Sequence, residues 1–247
     1  MEYKLILLLS AFRLEEKALE KALKIAVKKK LPVQDRIEVK SSGVGIKKSR
    51  VMLEKFLEHH KPDLVLITGI AGAVHLELKT GDVVCPEKVC LVDITDKVVR
   101  TIDVPQSFLH GFHERLNRCT RVHKAPILAT VMRTYHVKDK DVLRELNPEI
   151  YAVDMESYSL VDVLTKNKIP FLFFRVISDP YNMKFPKDAF IDALFRTKGM
   201  KRIYIFLRHP IAFFRLIMII PAMLKSLRVL KKCAVGFISS VVKPEAE

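Results

Sequence analysis

Apolar and polar positions along the chain fall into two alternating regimes: short continuous apolar runs, and longer stretches with helical spacing. Lys4 to Leu9 is an apolar run bounded by Ser10-Ala11, the pattern of a buried strand. Glu15 to Lys30 then places Leu19, Leu23, Ile25 and Ala26 on the apolar side of a helix, and Lys28-Lys29-Lys30 closes it where positive charge suits a helix C-terminus. Ile37 to Lys40 predicts a second strand, opening through Ser41-Ser42-Gly43-Val44-Gly45 into a helix over Ile46 to His59. Asp63 to Thr68 predicts a third strand, followed by the loop Gly69-Ile70-Ala71-Gly72, and Leu78 to Val84 turns into a further strand. Downstream, the pattern predicts a helix over Gln106 to Cys119, a strand over Ala125 to Val131 and a helix over Asp139 to Leu146. An apolar strand then runs into Asp154-Met155-Glu156. A helix over Ser157 to Asn167 follows, and a last strand, Ile169 to Ile177, ends on Ser178-Asp179-Pro180.

Strands alternating with helices imply an α/β architecture. At 247 residues, 49% hydrophobic and 29% charged, the chain suits one large globular α/β domain with a substantial core. Cys85, Cys90, Cys119 and Cys233 form no CxxC pair and no Cys/His metal spacing, so they read as reduced cytosolic thiols and no metal is expected. The opening Met-Glu-Tyr-Lys-Leu-Ile-Leu-Leu-Leu carries an acid at once and is short, so it reads as a strand and not a signal peptide.

Ligands of open α/β sheets bind beyond the carboxyl ends of the strands, where Glu156 and Asp179 both fall. Either acid alone could be a helix N-cap or a turn former. As a pair from two loops of one crossover unit, with Arg175 one strand face away, they can share a cleft. The glycines of Gly43-Val44-Gly45 and Gly69-Ile70-Ala71-Gly72 either let a ligand approach main-chain N–H groups or simply make tight turns.

Five motifs in order carry a resemblance: Gly43-x-Gly45, Thr68-Gly-x-Ala-Gly72, Leu78-x-x-Gly-Asp-Val-Val84, Asp154-Met-Glu-Ser157 and Arg175-x-Ile-Ser-Asp179. Over residues 1 to about 185 the chain resembles the nucleoside phosphorylase and nucleosidase superfamily. That group includes purine and uridine phosphorylases and methylthioadenosine/adenosylhomocysteine nucleosidases. The resemblance implies a three-layer phosphorylase-like fold with a mixed, twisted central sheet flanked by helices, and cleavage of an N-ribosidic bond without a cofactor. It implies Asp179 as the acid that protonates the leaving purine at N7, and Glu15 as the acid that positions attacking water. Glu156 and the Met155 backbone would hold the ribose hydroxyls. Gly69, Ile70, Ala71 and Gly72, with Gly45, Ser178 and Arg175, would line the nucleoside and nucleophile pocket. No Gly-Asp-Pro-x-Arg phosphate motif is present, and Ile70 replaces the usual hydroxyl residue, so water is favoured over phosphate. In the base-pocket segment Met132 to His136, Tyr135 or His136 either stacks on the purine or serves as a packing or surface residue.

The wordings Gly-Ile-Ala-Gly and Ala-Val-Asp-Met-Glu-Ser resemble most the hopanoid-associated phosphorylase branch, for which a lipid-linked substrate, adenosylhopane, is implied. The region Gly199 to Phe237, with Arg208-His209-Pro210 and two further basic helices, is similar to that branch as well. The expected division is thus a nucleoside phosphorylase-like α/β domain at 1–198 and a basic amphipathic helical extension at 199–247 packed on it.

Net charge is +15, and no Asp or Glu occurs from Ala193 to Pro244 while eleven Lys or Arg do. Ile211 to Leu224 is almost wholly apolar, but too short and too interrupted by Arg215 and Pro221 to span a bilayer. Two readings stand side by side: terminal helices packed on the sheet with solvated lysines, or interfacial helices on an anionic membrane. The expected partners are a small purine nucleoside and, through the basic helices, a membrane surface. The expected setting is the cytoplasm, peripheral on the inner membrane face. Nucleic acid is excluded because no aromatic–basic interleaving accompanies the charge. The resemblance implies a homo-oligomer, and leaves a soluble methylthioadenosine/adenosylhomocysteine nucleosidase, a phosphate-dependent purine nucleoside phosphorylase and a non-catalytic relative as alternatives.

Overall fold

The computed structural model describes residues 3–31, 33, 36–105, 112–183 and 208–242. Strand β1 (Ile6–Ser10) is the centre of a parallel group with β2 (Ile37–Ser41), β3 (Leu64–Ile67) and β9 (Phe171–Phe173), in the order β2-β1-β3-β9. Its apolar run is continuous because both faces are covered, as parallel strands require. Leu7 and Leu9 face α2 (Ile46–His59) and α5 (Ser157–Lys166) in one core layer. Ile6 and Leu8 face Ala18, Leu19, Ala22 and Ala26 of α1 (Arg13–Lys28) in the other.

A second group runs β10-β4-β8-β7-β5-β6, and β10 (Arg175–Asp179) also pairs antiparallel with β5 (Val83–Val92), curling these strands toward closure. Its other members are β4 (Ile70–Ala73), β6 (Val98–Asp103), β7 (Val122–Thr130) and β8 (Ile150–Asp154). The chain passes between the two groups three times, once through α5, which returns from β8 to β9, and twice directly from strand to strand. Thr68-Gly69 carries β3 into β4, and Phe174 carries β9 into β10; the crossings are stitched by Phe174 N–H to Ile67 O at 3.2 Å and Val176 N–H to Gly69 O at 2.9 Å. The result is the mixed α/β sheet flanked by helices that the sequence predicts. Two expectations are corrected here. Gly69 to Gly72 is not a loop, since Ile70 to Ala73 is itself a strand, and the strand predicted over Ile169 to Ile177 is split at Phe174. Both errors have one cause: a strand that changes sheet looks in sequence like a strand that ends, or like one that continues.

Helix α3 occupies Phe112–Asn117 and α4 Val137–Leu146; the first part of the helix predicted over Gln106 to Cys119 lies outside the described residues. From Pro210 the described residues form one continuous helix, α6 (Pro210–Val242, 33 residues), where two basic helices are expected from the sequence; 199–207 lie outside the described residues. Pro221 lies inside it, and periodicity read from a proline overstates the break. Leu230, Cys233, Ala234, Phe237 and Ile238 of α6 are buried against the α1 side of the sheet. Ser226 Oγ, also buried, donates to the Ile177 carbonyl of β10 at 2.7 Å. The first half of the helix is different: Ile211 is 70% exposed and Phe214 64%, with Ile217, Met218 and Ile220 also exposed. By length and composition α6 could cross a membrane. Its exposed apolar part, Ile211 to Leu224, is only about 21 Å long at 1.5 Å per residue, short of the ~30 Å hydrocarbon core, and the rest is packed into the domain.

All four cysteines are free, and burial pushes the thiols of Cys85 and Cys90 up to about 12, so both behave as inert core residues.

Candidate active site

The carboxyl ends of β1, β8 and β10 and the first residues of β4 converge on one cavity of about 330 Å³, within the range of small-ligand pockets. Of the residues singled out from the sequence, Glu15, Ile70, Ala71, Gly72, Met155, Glu156, Ser178 and Asp179 line it. Gly45, Gly69 and Arg175 do not.

Glu15 stands at the third position of α1 and is fully buried. Its Oε2 accepts the N–H of Ala11 at 2.7 Å and of Phe12 at 3.2 Å, and Oε1 accepts the N–H of Ile70 at 2.7 Å. Three of a carboxylate's about four acceptor sites are thus occupied, leaving room for one more donor from the cavity. Burial raises its pKa; the Arg175 charge and the three N–H groups oppose that.

Glu156 follows β8, where the backbone leaves the strand for α5. Gly45 donates its N–H to Glu156 Oε1 at 2.8 Å from a φ of +95°, a conformation that favours glycine. Burial, and next the nearby Asp154 carboxylate, push the Glu156 carboxyl up to about 7, against the pull of Arg175.

Asp179 ends β10. Its Oδ1 accepts from Ser178 Oγ at 2.8 Å and its Oδ2 from Lys140 Nζ at 2.9 Å. Glu15 and Asp179 therefore lie against opposite ends of Ile70–Gly72, about 7 Å of strand. Gly69, just before this segment, and Gly72, at its end, leave room for these acids. A Cβ on Gly69 would fall 2.7 Å from Glu15 Oε1 and 2.6 Å from Arg175 Nη1.

Arg175 is 1% exposed and sits behind the cavity wall, not on it. Its Nε donates to Asp154 Oδ2 at 2.9 Å and its Nη2 to Ser157 Oγ at 2.8 Å. Asp154 also accepts from Thr130 Oγ1 at 2.9 Å and from Ser157 Oγ. The guanidinium is spent on fixing the turn that presents Met155 and Glu156. Residues four apart share a face in a regular strand, but the register of β10 against β4 shifts between Ile177 and Asp179, so Arg175 does not share the cavity with the acid.

Tyr135 lines the cavity, with its hydroxyl on Asp96 and the Arg133 guanidinium 4.8 Å from its ring centroid. His136 instead caps α4. Sequence reasoning missed Phe12 and Val44, and Ile219 and Met223 of α6, which close the apolar side. It also missed Lys140, 1% exposed, a lysine set three residues after Val137 and three before Leu143 on the inward face of α4.

Carboxyls at both ends of a compact, mostly apolar cavity can handle charge of opposite sign at two points of one ligand. Arg133 is the one cation among the described lining residues, and it is paired with Asp139 at 3.0 Å. A free phosphate would face Glu15 and Glu156 with no uncommitted cation among the described lining residues to offset its charge.

Known proteins were compared with this chain. A nucleosidase of Hydrogenovibrio crunogenus, 5'-methylthioadenosine/S-adenosylhomocysteine nucleosidase, is 28% identical over 153 residues, 56% of this chain and 65% of that protein. The chain therefore matches a little under two thirds of that relative's length. Futalosine hydrolase of Helicobacter pylori superposes with a TM-score of 0.67 at 17% identity, covering 97% of each chain. The 5'-methylthioadenosine/S-adenosylhomocysteine nucleosidase of Neisseria meningitidis, solved with methylthio-immucillin-A, gives 0.63 at 18% identity over 96% of this chain and 98% of that one. These likenesses establish the fold. Residues 29–209 match the family described as the phosphorylase superfamily, nearly three quarters of the sequence, and the chain belongs to that superfamily.

Proposed function

We propose that this protein hydrolyses the N-ribosidic bond of a 5′-modified purine nucleoside and releases adenine. The observation that carries this reading is the meeting of Glu15, Glu156 and Asp179 on one cavity. As the C1′–N9 bond breaks, its electron pair moves onto the purine and the sugar becomes cation-like. Asp179 protonates N7 and so neutralises the departing base. Glu156 and the Met155 main chain hold the ribose hydroxyls and favour the positive sugar. Glu15 uses its remaining acceptor site to orient one water, whose oxygen bonds to C1′ as its proton leaves. The raised pKa of Glu15 suits a group that takes that proton.

Water, not phosphate, is the nucleophile in this reading, because the sugar end is lined by carboxylates and Arg175 is already committed to Asp154. The named relatives support methylthioadenosine or adenosylhomocysteine as substrate. A lipid-linked nucleoside such as adenosylhopane is the second reading, favoured by one observation. The apolar wall of Ile219 and Met223 runs out along α6 into exposed Ile211, Phe214, Ile217 and Met218, where Arg208 and Arg215 would meet anionic headgroups. On that reading the enzyme rests on the membrane surface and draws its substrate from it.

Adenine release from methylthioadenosine and from adenosylhopane in vesicles, each with and without phosphate, tests these readings. Turnover of methylthioadenosine alone ends the lipid reading, a strict phosphate requirement ends the hydrolytic one, and no adenine from either nucleoside ends both.

A further inference from the structure

Lys140, the buried partner of Asp179, has no part in the chemistry so far described. Lys140 is 1% exposed, and fully buried lysines are rare unless paired. Among the described residues the one hydrogen-bond partner of its ammonium is Asp179 Oδ2, at 2.9 Å. The neighbouring charges of α4 are committed elsewhere: Asp139 to Arg133 at 3.0 Å, and Asp141 to Arg144 at 3.3 Å and to the Tyr181 hydroxyl. Lys140 thus meets the acid from the side away from the ligand, since it is not among the residues lining the cavity while Asp179 is.

We propose that Lys140 is the proton reservoir of Asp179, a positioning residue that refills the acid from behind as the acid protonates the base. The inference rests on the reading of Asp179 as the acid. An ionised carboxylate between Ser178 Oγ and Lys140 Nζ is well held but has no proton to give. Lysine can supply one; arginine in its place could bond the carboxylate but cannot be deprotonated in a protein. In the step, one proton passes from Nζ to the Asp179 carboxyl and one from that carboxyl to purine N7, while the C1′–N9 pair moves onto the base. Lys140 ends as a neutral amine and Asp179 as it began. The water's proton, taken up by Glu15, restores the balance through solvent after adenine leaves.

Among the described residues, other charges share the cavity with Asp179. Glu15 comes from α1, Asp154 and Glu156 from the end of β8, and Arg133 from the segment before α4; Arg175 lies behind the wall. Each of the first four is held by its own partner, so a change at Lys140 falls on Asp179.

The test is the pH dependence of kcat/KM for adenine release by wild type, K140R, K140M and D179N, on whichever of methylthioadenosine and adenosylhopane the wild type cleaves. A reservoir predicts that K140R falls at least tenfold at every pH, although its charge and hydrogen bond remain. It predicts that K140M approaches wild type near pH 5 but loses its alkaline limb at least one pH unit earlier, because a lone carboxyl must then hold its own proton. Activity of K140R equal to wild type, or a loss in K140M that is the same at every pH, overturns the proposal and leaves Lys140 a structural tether. Retained activity of D179N, or no turnover of either nucleoside by wild type, fails at the earlier step and removes the acid reading along with it.

Discussion

Gly72 and Asp179 are packed so closely that a Cβ on Gly72 would stand 2.6 Å from Asp179 Oδ2. The carboxyl cannot simply swing aside, because Lys140 and Ser178 hold its two oxygens. Gly72→Ala should therefore displace Asp179 more than it disturbs the sheet. The expected outcome is a fall in kcat of at least tenfold with Tm within about 5 °C of wild type, read by adenine release and thermal unfolding. Normal kcat would show that the position of the carboxyl is unimportant.

Asp179→Asn should lower turnover by a hundredfold or more, the range general acids contribute. It should also lower stability, because Lys140 loses its counter-charge in a buried place. Adding K140M to D179N should then recover part of the lost Tm without recovering activity. Additive losses in this double-mutant cycle would mean that the two side chains are not coupled.

Glu156 makes stability depend on pH in a defined direction. Its carboxyl titrates near 7 in the folded protein against about 4.5 when unfolded, so the folded state holds an extra proton between those values. The associated stability is full below about pH 4.5 and is lost as pH rises through about 7. Glu156→Gln keeps an oxygen for the Gly45 N–H and removes the titration. At pH 8.5 the variant should melt at least about 2 °C above wild type, and the gap should close by pH 5. An equal gap at both values would point to packing as the cause.

The exposed start of α6 can be separated from the cavity. Ile211 and Phe214 do not line the cavity, so their joint replacement by Ser should leave adenine release from a water-soluble nucleoside within about twofold. Sedimentation with vesicles containing anionic lipid should fall at least tenfold. Unchanged sedimentation would remove the lipid surface as the partner of this segment.

Much of the cavity was legible in the sequence, and for a definite reason. Glu156 follows the end of one strand and Asp179 ends another, and strand ends are where α/β sheets place ligands, so their convergence follows from topology. Glu15 was visible only through the resemblance; nothing in helical periodicity tells a buried acid at a first turn from a capping one. Arg175 was misplaced because residues four apart share a face in a regular strand, and the register shift between Ile177 and Asp179 leaves no mark in the sequence. Lys140 went unnoticed since a charged residue on an inward stripe reads as a gap in the pattern. Gly72 was seen, but its reason lies more than a hundred residues away, in the side chain of Asp179.

The hydroxyl of Ser226, fastened to the Ile177 carbonyl just before the acid, has a practical meaning. The last helix is an internal brace as well as an oily surface, so trimming it to obtain a better-behaved enzyme should unsettle the very strand that delivers Asp179. Engineering for solubility would have to repaint the outward residues of its first turns and leave the rod itself in place.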